Sequence, residues 1–273
     1  MLVLFGSPWN AVNADDSPDA AISACVPAGV EAVAVEEKSA DRVFVSRTGQ
    51  RFLATDIQSH ASDRSSILVA HGSDAAGNRQ VLEAIPAGPA NRWGFIPAWI
   101  VVREADASRL LQAAELEAGV AVFAPDKASG PCADHLRQAE TLARGEKSGI
   151  WARGKHLPVY SAADLKELEA SAGQYVIAHG RVVSLGKTRS TRYLNFGRYW
   201  KTDFTVTLKA SDEAEFDAAL GRNGWRIEDL ANKTVEIRGV VQVRDGPLIV
   251  LRHPEQLAVL EDKRAGRGGR NIN

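Results

Sequence analysis

Cysteine, methionine and net charge are all scarce in this sequence of 273 residues. It contains two cysteines and one methionine, and its formal net charge is −1 at pH 7. A chain this close to neutral is not basic throughout, so any attraction for nucleic acid must come from a local patch. No apolar run approaches the roughly 18–20 residues that a membrane-spanning helix needs, so we predict no membrane span.

Several motifs that carry chemistry are also absent. The chain has no phosphate-binding Walker loop, no GxSxG nucleophile elbow, no HExxH zinc helix and no CxxC pair. The Gly-Gly within the tail sequence RAGRGGR is too short and too isolated to form a phosphate loop. The usual signatures of nucleotide, ester and zinc-dependent hydrolysis are therefore missing.

The two cysteines, Cys25 and Cys132, lie far apart and lack the spacing of metal ligands. They are either two buried free thiols or a disulfide between the N-terminal segment and a later helix, which would require an oxidising compartment. The opening residues MLVLFGSPWNAVNADD combine a short apolar run with Ala-Val-Asn-Ala, which resembles a cleavage site. A basic start is missing, so the segment looks like a clipped signal peptide. We predict an exported protein, periplasmic or secreted.

The first half of the sequence predicts several strands followed by two amphipathic helices. Residues 30–56 alternate apolar and polar side chains around a turn at RTGQ. RQVLEAI and GFIPAWIVVRE are typical of strands, while DASRLLQAAELEAG and CADHLRQAETLARGEKSGIW are typical of helices. We predict a signal or N-terminal extension over 1–24 and a first domain over 25–152.

The second half is strand-rich, with one helical insertion, DEAEFDAALGRNGWRIEDL. Five strands with a helix between the third and fourth have the order of an OB-fold barrel. We therefore predict a linker at 153–172, an OB-like five-stranded barrel at 173–262 and a disordered basic tail at 263–273. The fold class is mainly β with helices, in two barrels.

Three segments of the first domain resemble the staphylococcal-nuclease-like (thermonuclease) family. LRQAETLARGEKSGIW is similar to its last helix, in which Leu-x-x-Ala-Glu-x-x-Ala runs into Gly-aliphatic-Trp. LLQAAELEAGVAVFAP is similar to its middle helix, and NRWGFIPAWIV to its Asp-x-Tyr-Gly-Arg turn and following strand. The resemblance covers roughly residues 30–152 and implies an OB barrel of five strands with added helices.

The resemblance also implies a chemistry. This family cuts phosphodiester bonds with one Ca²⁺, two carboxylate ligands, a glutamate that acts on water and two arginines on the phosphate. The family's ligand turn falls on Ser39-Ala40-Asp41-Arg42, and its Arg-(x)4-Asp-x-Pro-Glu motif falls on RFLATDIQS. Asp41 and Asp56 are then the metal ligands for a weakly bound Ca²⁺, and Arg51 is the phosphate clamp. The alternative, which does not use the resemblance, is that Arg51 and Asp56 are an ordinary surface pair at the two ends of a strand.

Two parts of that machinery are replaced. Ser59 stands in place of the glutamate, and Phe95 stands in place of the second arginine. A general base contributes about 10²–10⁴ in rate and an oxyanion-type donor about 10²–10³, so we expect no fast hydrolysis by this mechanism. His60 as a substitute base and Arg92 as a substitute phosphate ligand would each require a loop to shift. Without that shift His60 is a solvated loop residue.

Residues 180–201 combine basic and aromatic side chains and contain no acidic residue. Cations can follow a phosphate backbone while aromatic rings stack on bases, at about 1–3 kcal/mol per base. The second and third strands of an OB barrel, with the loop joining the first two, form its usual face for oligonucleotides. The candidate nucleic-acid-binding residues are Arg181, Lys187, Arg189, Arg192, Tyr193, Arg198, Tyr199 and Lys201. The alternative is a solvated barrel rim, in which alternation assigns Leu194 and Phe196 to the core.

The sequence therefore predicts a nuclease-family protein with a partly degenerate active site, which binds single-stranded DNA or RNA with weak or no cleavage. One alternative is an active Ca²⁺-dependent phosphodiesterase with a rebuilt site. The other is an envelope scaffold that docks proteins through both barrels. Salt dependence separates nucleic-acid binding from protein docking, because phosphate contacts release counterions. Metal dependence separates the enzyme from both.

Overall fold

The computed structural model of the protein describes residues 18–38, 42–59, 81–104, 107–152, 158–199 and 201–260. The first seventeen residues and the tail from 261 lie outside the described residues. Two residues predicted to belong to a catalytic site, Asp41 and His60, also lie outside them.

Sixteen strands and five α-helices make up the described parts of the chain. The helices are α1 (Pro18–Cys25), α2 (Leu111–Glu117), α3 (Pro131–Glu146), α4 (Leu165–Ala170) and α5 (Glu213–Gly221). The strands of the first half are β1 (Val33–Glu37), β2 (Val43–Ser46), β3 (Arg51–Ala54), β4 (Ile57–Ser59), β5 (Val81–Pro86), β6 (Phe95–Arg103), β7 (Ser108–Leu110) and β8 (Ala121–Phe123). Those of the second half are β9 (Val159–Ser161), β10 (Tyr175–Arg181), β11 (Ser184–Lys187), β12 (Thr191–Asn195), β13 (Thr205–Lys209), β14 (Thr234–Val243), β15 (Pro247–Val250) and β16 (Leu257–Val259). Short 3₁₀ helices cover Gly149–Trp151, Ala210–Asp212, Ile227–Leu230 and Pro254–Gln256.

Five strands of the first half close into a barrel, as predicted. β1 pairs with β2 and with β5, β2 pairs with β3, and β5 pairs with β6, all antiparallel. A parallel pairing of β3 with β6 joins the two ends of this sheet and closes the ring. Alternation directs one side of each strand inward, and Phe44, Phe52 and Ile100 are fully buried in the interior.

The helices α2 and α3 cover one side of this barrel. Leu116, Phe123 and Leu136 are fully buried in the shared core. The turn after α3 packs tightly on the end of α2, because the N–H of Ile150 donates to the carbonyl of Gly119 at 2.8 Å. Gly119 has a positive φ of 65°, which glycine adopts without steric cost.

Cys25 and Cys132 form a disulfide that joins the end of α1 to the first turn of α3. Both residues are buried and pack in the core beneath the two helices. Of the two alternatives left open by the sequence, the structure contains the disulfide and not the two free thiols.

The second half forms one large mixed sheet of eight strands. Its order is β11-β12-β13-β15-β14-β10-β9, and β16 pairs with β14. β13 and β15 run parallel, and α5 lies between β13 and β14 in the chain, which is the predicted position of the helix. Phe204, Phe216 and Ile237 are buried in its core.

The prediction of a second closed barrel is wrong, because this sheet stays open. β10 and β11 are consecutive in the chain but do not pair with each other in the described structure. The chain between them diverges: the N–H of Val182 donates to the carbonyl of Lys233, and the N–H of Val183 donates to that of Asn195. β9 and α4 fall inside the predicted linker, and β9 joins the sheet beside β10.

The two halves pack directly on each other. Val122, Ala143 and Trp151 from the first half form a buried cluster with Ile177 of β10. No helix within the described ranges is long and apolar enough to cross a membrane.

Candidate functional site

Asp56 is a buried carboxylate that is hydrogen-bonded by protein donors. Its Oδ1 accepts from the backbone N–H groups of Asp126 (2.8 Å) and Ala128 (2.7 Å). Its Oδ2 accepts from the Thr55 hydroxyl (2.8 Å), and the N–H of Lys127 lies 3.0 Å from both oxygens. Burial raises the pKa of the Asp56 carboxyl, while these donors oppose that shift. The carboxylate therefore holds the loop after β8 against the end of β3.

This environment does not fit a metal ligand. Ca²⁺ takes about six to eight oxygen ligands, so the N–H groups that point at the Asp56 carboxylate would have to turn away. No group of three or more His, Cys, Asp or Glu that could hold a metal occurs among the described residues. The other expected ligand, Asp41, is outside them, so the calcium site as a whole stays a prediction.

Arg51 braces a turn of the first barrel. Its Nη2 donates to the carbonyl of Trp93 at 2.7 Å, and its guanidinium lies 4.4 Å from the centroid of the Phe95 ring. Arg92 stacks on the ring of its neighbour Trp93 at 4.0 Å. Arg51 and Asp56 are both described and form no ion pair with each other. The predicted phosphate clamp and metal ligand are thus engaged in separate structural contacts.

The second half presents a polar face on the outer side of β11, β12, β13 and β15. Leu194 and Phe204 are fully buried, whereas Tyr193 and Asn195 lie half-buried on the opposite side of β12. Cross-strand register places Gly186 beside Tyr193 and places Thr205 beside Asn195. Because successive side chains alternate between the two faces of a strand, these residues share the outer face.

A cleft of about 570 Å³ lies over this face. Tyr193, Asn195 and Thr205 line its floor. Lys187 at the end of β11 borders one side, and Arg244 in the turn between β14 and β15 borders the cleft from another element. A Cβ added at Gly186 would lie 3.3 Å from the Cβ of Tyr193, so the glycine leaves room for the tyrosine side chain.

The loop between β12 and β13 is fixed beside the cleft by Asp203. The Asp203 Oδ2 accepts from the backbone N–H of Tyr199 at 2.7 Å, and the Asp203 N–H donates back to the Tyr199 carbonyl at 2.8 Å. A Cβ at Gly197 would overlap the Asp203 carboxylate, with only 1.9 Å to its Oδ2. This closely packed loop presents the Tyr199 side chain, which is 74% exposed.

The candidate binding residues divide into those near the cleft and those engaged elsewhere. Arg192 is buried, and its guanidinium pairs with Glu213 and with Glu228, so it is not available to contact the phosphates of a nucleic acid. Arg181 is exposed but lies outside the cleft lining, where its Nη2 is 3.5 Å from the side chain of Asn232.

The remaining cations belong to the elements around the cleft. Lys187 is exposed and lies 3.6 Å from Glu213, a surface pair that contributes little free energy. Arg189 and Arg198 are both exposed, and neither has an ion pair with a described residue. Lys201 is exposed on the same loop as Tyr199.

Sequence reasoning missed Arg244 and its neighbour Asp245. Asp245 has a positive φ of 63° and is followed by Gly246, in a turn between two strands. Asp-Gly between two strand-like runs is a strong hairpin signal. The last two strands of an OB order are joined by a loop that borders the binding face, so this signal could have placed Arg244 at the site.

A cluster of buried charges lies between the two halves, and no motif in the sequence predicted it. Arg238 of β14 is fully buried, and it contacts Glu140 of α3, Glu236 and the carbonyl of Phe123. Burial works against the charged form of Glu236, but Arg238, with other partners, holds the pKa of that carboxyl well below its usual range. These contacts join the two halves of the protein.

Comparisons with known proteins do not assign the chain to a family. A scan against models of protein families gives no match, and a search of curated proteins gives no significant match.

Proposed function

We propose that the protein binds single-stranded nucleic acid in the cleft over β11, β12 and β13, with weak or no cleavage of the strand. The observation that carries the proposal is the convergence of an aromatic ring and two cations from separate elements. Tyr193 lies on the floor of this cleft, and Lys187 and Arg244 border it.

Each component matches a requirement of strand binding. A base can stack on the Tyr193 ring, and the cations at the rim can contact the phosphates on either side of it. Arg189 and Arg198 extend the positive charge along the flanking hairpin and loop. A duplex exposes only base edges in its grooves, so stacking on Tyr193 requires an unpaired base.

Contacts in the first half support weak or absent cleavage. The closed barrel there supports a relationship to the nuclease-like family, alongside the sequence segments that resemble it. However, Asp56 is saturated by hydrogen-bond donors and Arg51 braces a turn, so neither is arranged for metal-assisted attack on a phosphate. The alternative of an active phosphodiesterase has no supporting contact among the described residues. The disulfide supports an exported location.

Fluorescence anisotropy of labelled single-stranded DNA and RNA tests the proposal. We expect binding that weakens steeply between about 50 and 200 mM salt and is the same in Ca²⁺ and in chelator. Tyr193→Leu keeps an apolar side chain on the floor but removes the ring, and we expect it to weaken binding at least about fivefold. Arg181→Gln, an exposed cation outside the cleft, is the matched control.

Three outcomes would count against the proposal. Binding that is absent or insensitive to salt would favour the protein-docking alternative. A Tyr193→Leu protein that unfolds like the wild type and binds equally well would show that the cleft is not the binding site. Cleavage that requires Ca²⁺ would restore the phosphodiesterase alternative.

A further inference from the structure

Two carboxylates line the same cleft as the cations. Asp203 lies in the loop just before β13, and Asp245 lies at the tip of the turn between β14 and β15. The Asp203 Oδ2 is engaged by the N–H of Tyr199, and no donor among the described residues contacts its Oδ1. The carboxylate of Asp245 is exposed, and the described part of the chain offers it no hydrogen bond.

A site for a phosphate alone would not contain these groups, because carboxylates repel phosphates. A base carries no such charge, and its edge can present N–H donors. The exocyclic amino group of cytosine is a donor that aspartate and glutamate accept. Thymine and uracil present a carbonyl oxygen at the same position, and this oxygen gives a carboxylate no hydrogen bond.

The cleft can hold the base edge and the phosphates in different places, because its carboxylates and its cations come from separate positions around Tyr193. Tyr193 forms the floor, with the cations Lys187 and Arg244 and the acceptors Asp203 and Asp245 around it. A base stacked on Tyr193 can direct its polar edge toward a carboxylate while its phosphates remain at the cationic rim. Gly246 holds the turn close to the neighbouring loop, because a Cβ there would lie 2.6 Å from the carbonyl of Thr202. The turn that carries Asp245 is therefore held close to the loop that carries Asp203.

We propose that this cleft prefers unpaired bases that carry an exocyclic amino group, with cytosine bound more tightly than thymine, and that Asp245 and Asp203 accept the amino N–H. This inference rests on the proposed function and adds a base preference to it. A good side-chain contact to a base edge discriminates by about five- to hundredfold, and we expect a preference in that range.

Oligo(dC) and oligo(dT) of equal length provide the test, because both are pyrimidines with the same backbone. Affinities are measured by anisotropy near neutral pH, where cytosine is uncharged. Asp245→Asn keeps the side-chain size and the tolerance for a positive φ, but it replaces one acceptor oxygen with a donor. We expect this variant to reduce the dC/dT ratio toward one and to strengthen binding of oligo(dT), because a negative charge is removed.

Asp203→Asn is the second variant, since its carbonyl oxygen can still accept from the N–H of Tyr199. Asp164→Asn, an exposed aspartate outside the cleft, is the control and should leave the ratio unchanged. Equal affinity of wild-type protein for the two strands would overturn the inference and leave the proposed function intact. A preference for oligo(dC) that persists in both cleft variants would overturn the role of the carboxylates. If neither strand binds in a salt-dependent way, the proposed function itself fails.

Discussion

The guanidinium of Arg238 lies 2.6 Å from the Oε2 of Glu140, and this buried ion pair joins the two halves of the protein. Their side chains are 2% and 1% exposed. Taking two charges out of water is unfavourable, so such a pair is tolerated only when further hydrogen bonds satisfy it. Glu236 and the carbonyl of Phe123 supply those bonds to Arg238, and the N–H of Phe123 supplies one to Glu140.

Arg238→Met should destabilise the protein strongly. The substitution leaves Glu140 and Glu236 buried without their main cation, and breaking a buried pair in this way costs about 3–5 kcal/mol. Urea unfolding gives the free energy of unfolding directly. Adding Glu140→Gln to Arg238→Met should recover part of the loss, because one stranded charge is removed. Additive losses in the double variant would contradict this description of the pair.

Acidification should destabilise the protein through the same cluster. Burial opposes the charged forms of Glu140 and Glu236, but Arg238 together with Arg144 and the other donors outweighs it and lowers both pKa values below that of a free glutamate. The unfolded chain then takes up protons first as pH falls, so this stabilisation is full above about pH 5 and is lost as pH drops through the folded pKa values. Thermal unfolding at pH values between neutral and about pH 3 measures how steeply the stability falls with pH. Glu236→Gln should make the stability less dependent on pH. An unchanged pH dependence in this variant would contradict the assignment of the acid sensitivity to this cluster.

Asp56 should behave as a structural residue and not as a calcium ligand. Asp56→Asn retains tolerance for the positive φ of 63° but turns an amide toward N–H groups that now donate to a carboxylate. We expect a loss of about 2–4 kcal/mol in the free energy of unfolding, because buried donors lose their partners. Ca²⁺ should not raise the melting temperature of the wild type. A rise that disappears in Asp56→Asn would show that Asp56 binds the metal.

The disulfide should contribute substantially to stability. Cys25 and Cys132 are 107 residues apart, and a covalent bond across a loop of that length restricts the unfolded chain. Replacing both with alanine should lower the free energy of unfolding by about 2–5 kcal/mol. A thiol assay on the unfolded wild type should find no free thiol without reductant. Two reactive thiols per chain would show that the bond does not form in the purified protein.

Local alternation in the sequence predicted much of the second half. Tyr193 and Leu194 are neighbours, and successive side chains of a strand point to opposite faces. This alternation was enough to place Tyr193 on the outer face and Leu194 in the core. The same period places Arg192 on the inner side with Leu194, where Glu213 from α5 neutralises it. Counting basic residues in a segment could not reveal that partner.

Contacts between distant parts of the chain explain what the sequence did not predict. The spacing of Arg51 and Asp56 suggested a shared site, but the backbone donors to Asp56 come from a loop some 70 residues later. Closure of the first barrel depends on a parallel pairing of β3 with β6, and the open second sheet depends on the divergence at Val182. None of these partners is signalled by the residues nearby.

The bond between Cys25 and Cys132 has a further consequence for a chain exposed to proteases. It encloses all five strands of the closed barrel within one covalent loop. A single backbone cut anywhere between the two cysteines therefore leaves both fragments attached to each other. The nicked protein would retain every barrel strand, and it would migrate as one species until a reductant released the pieces.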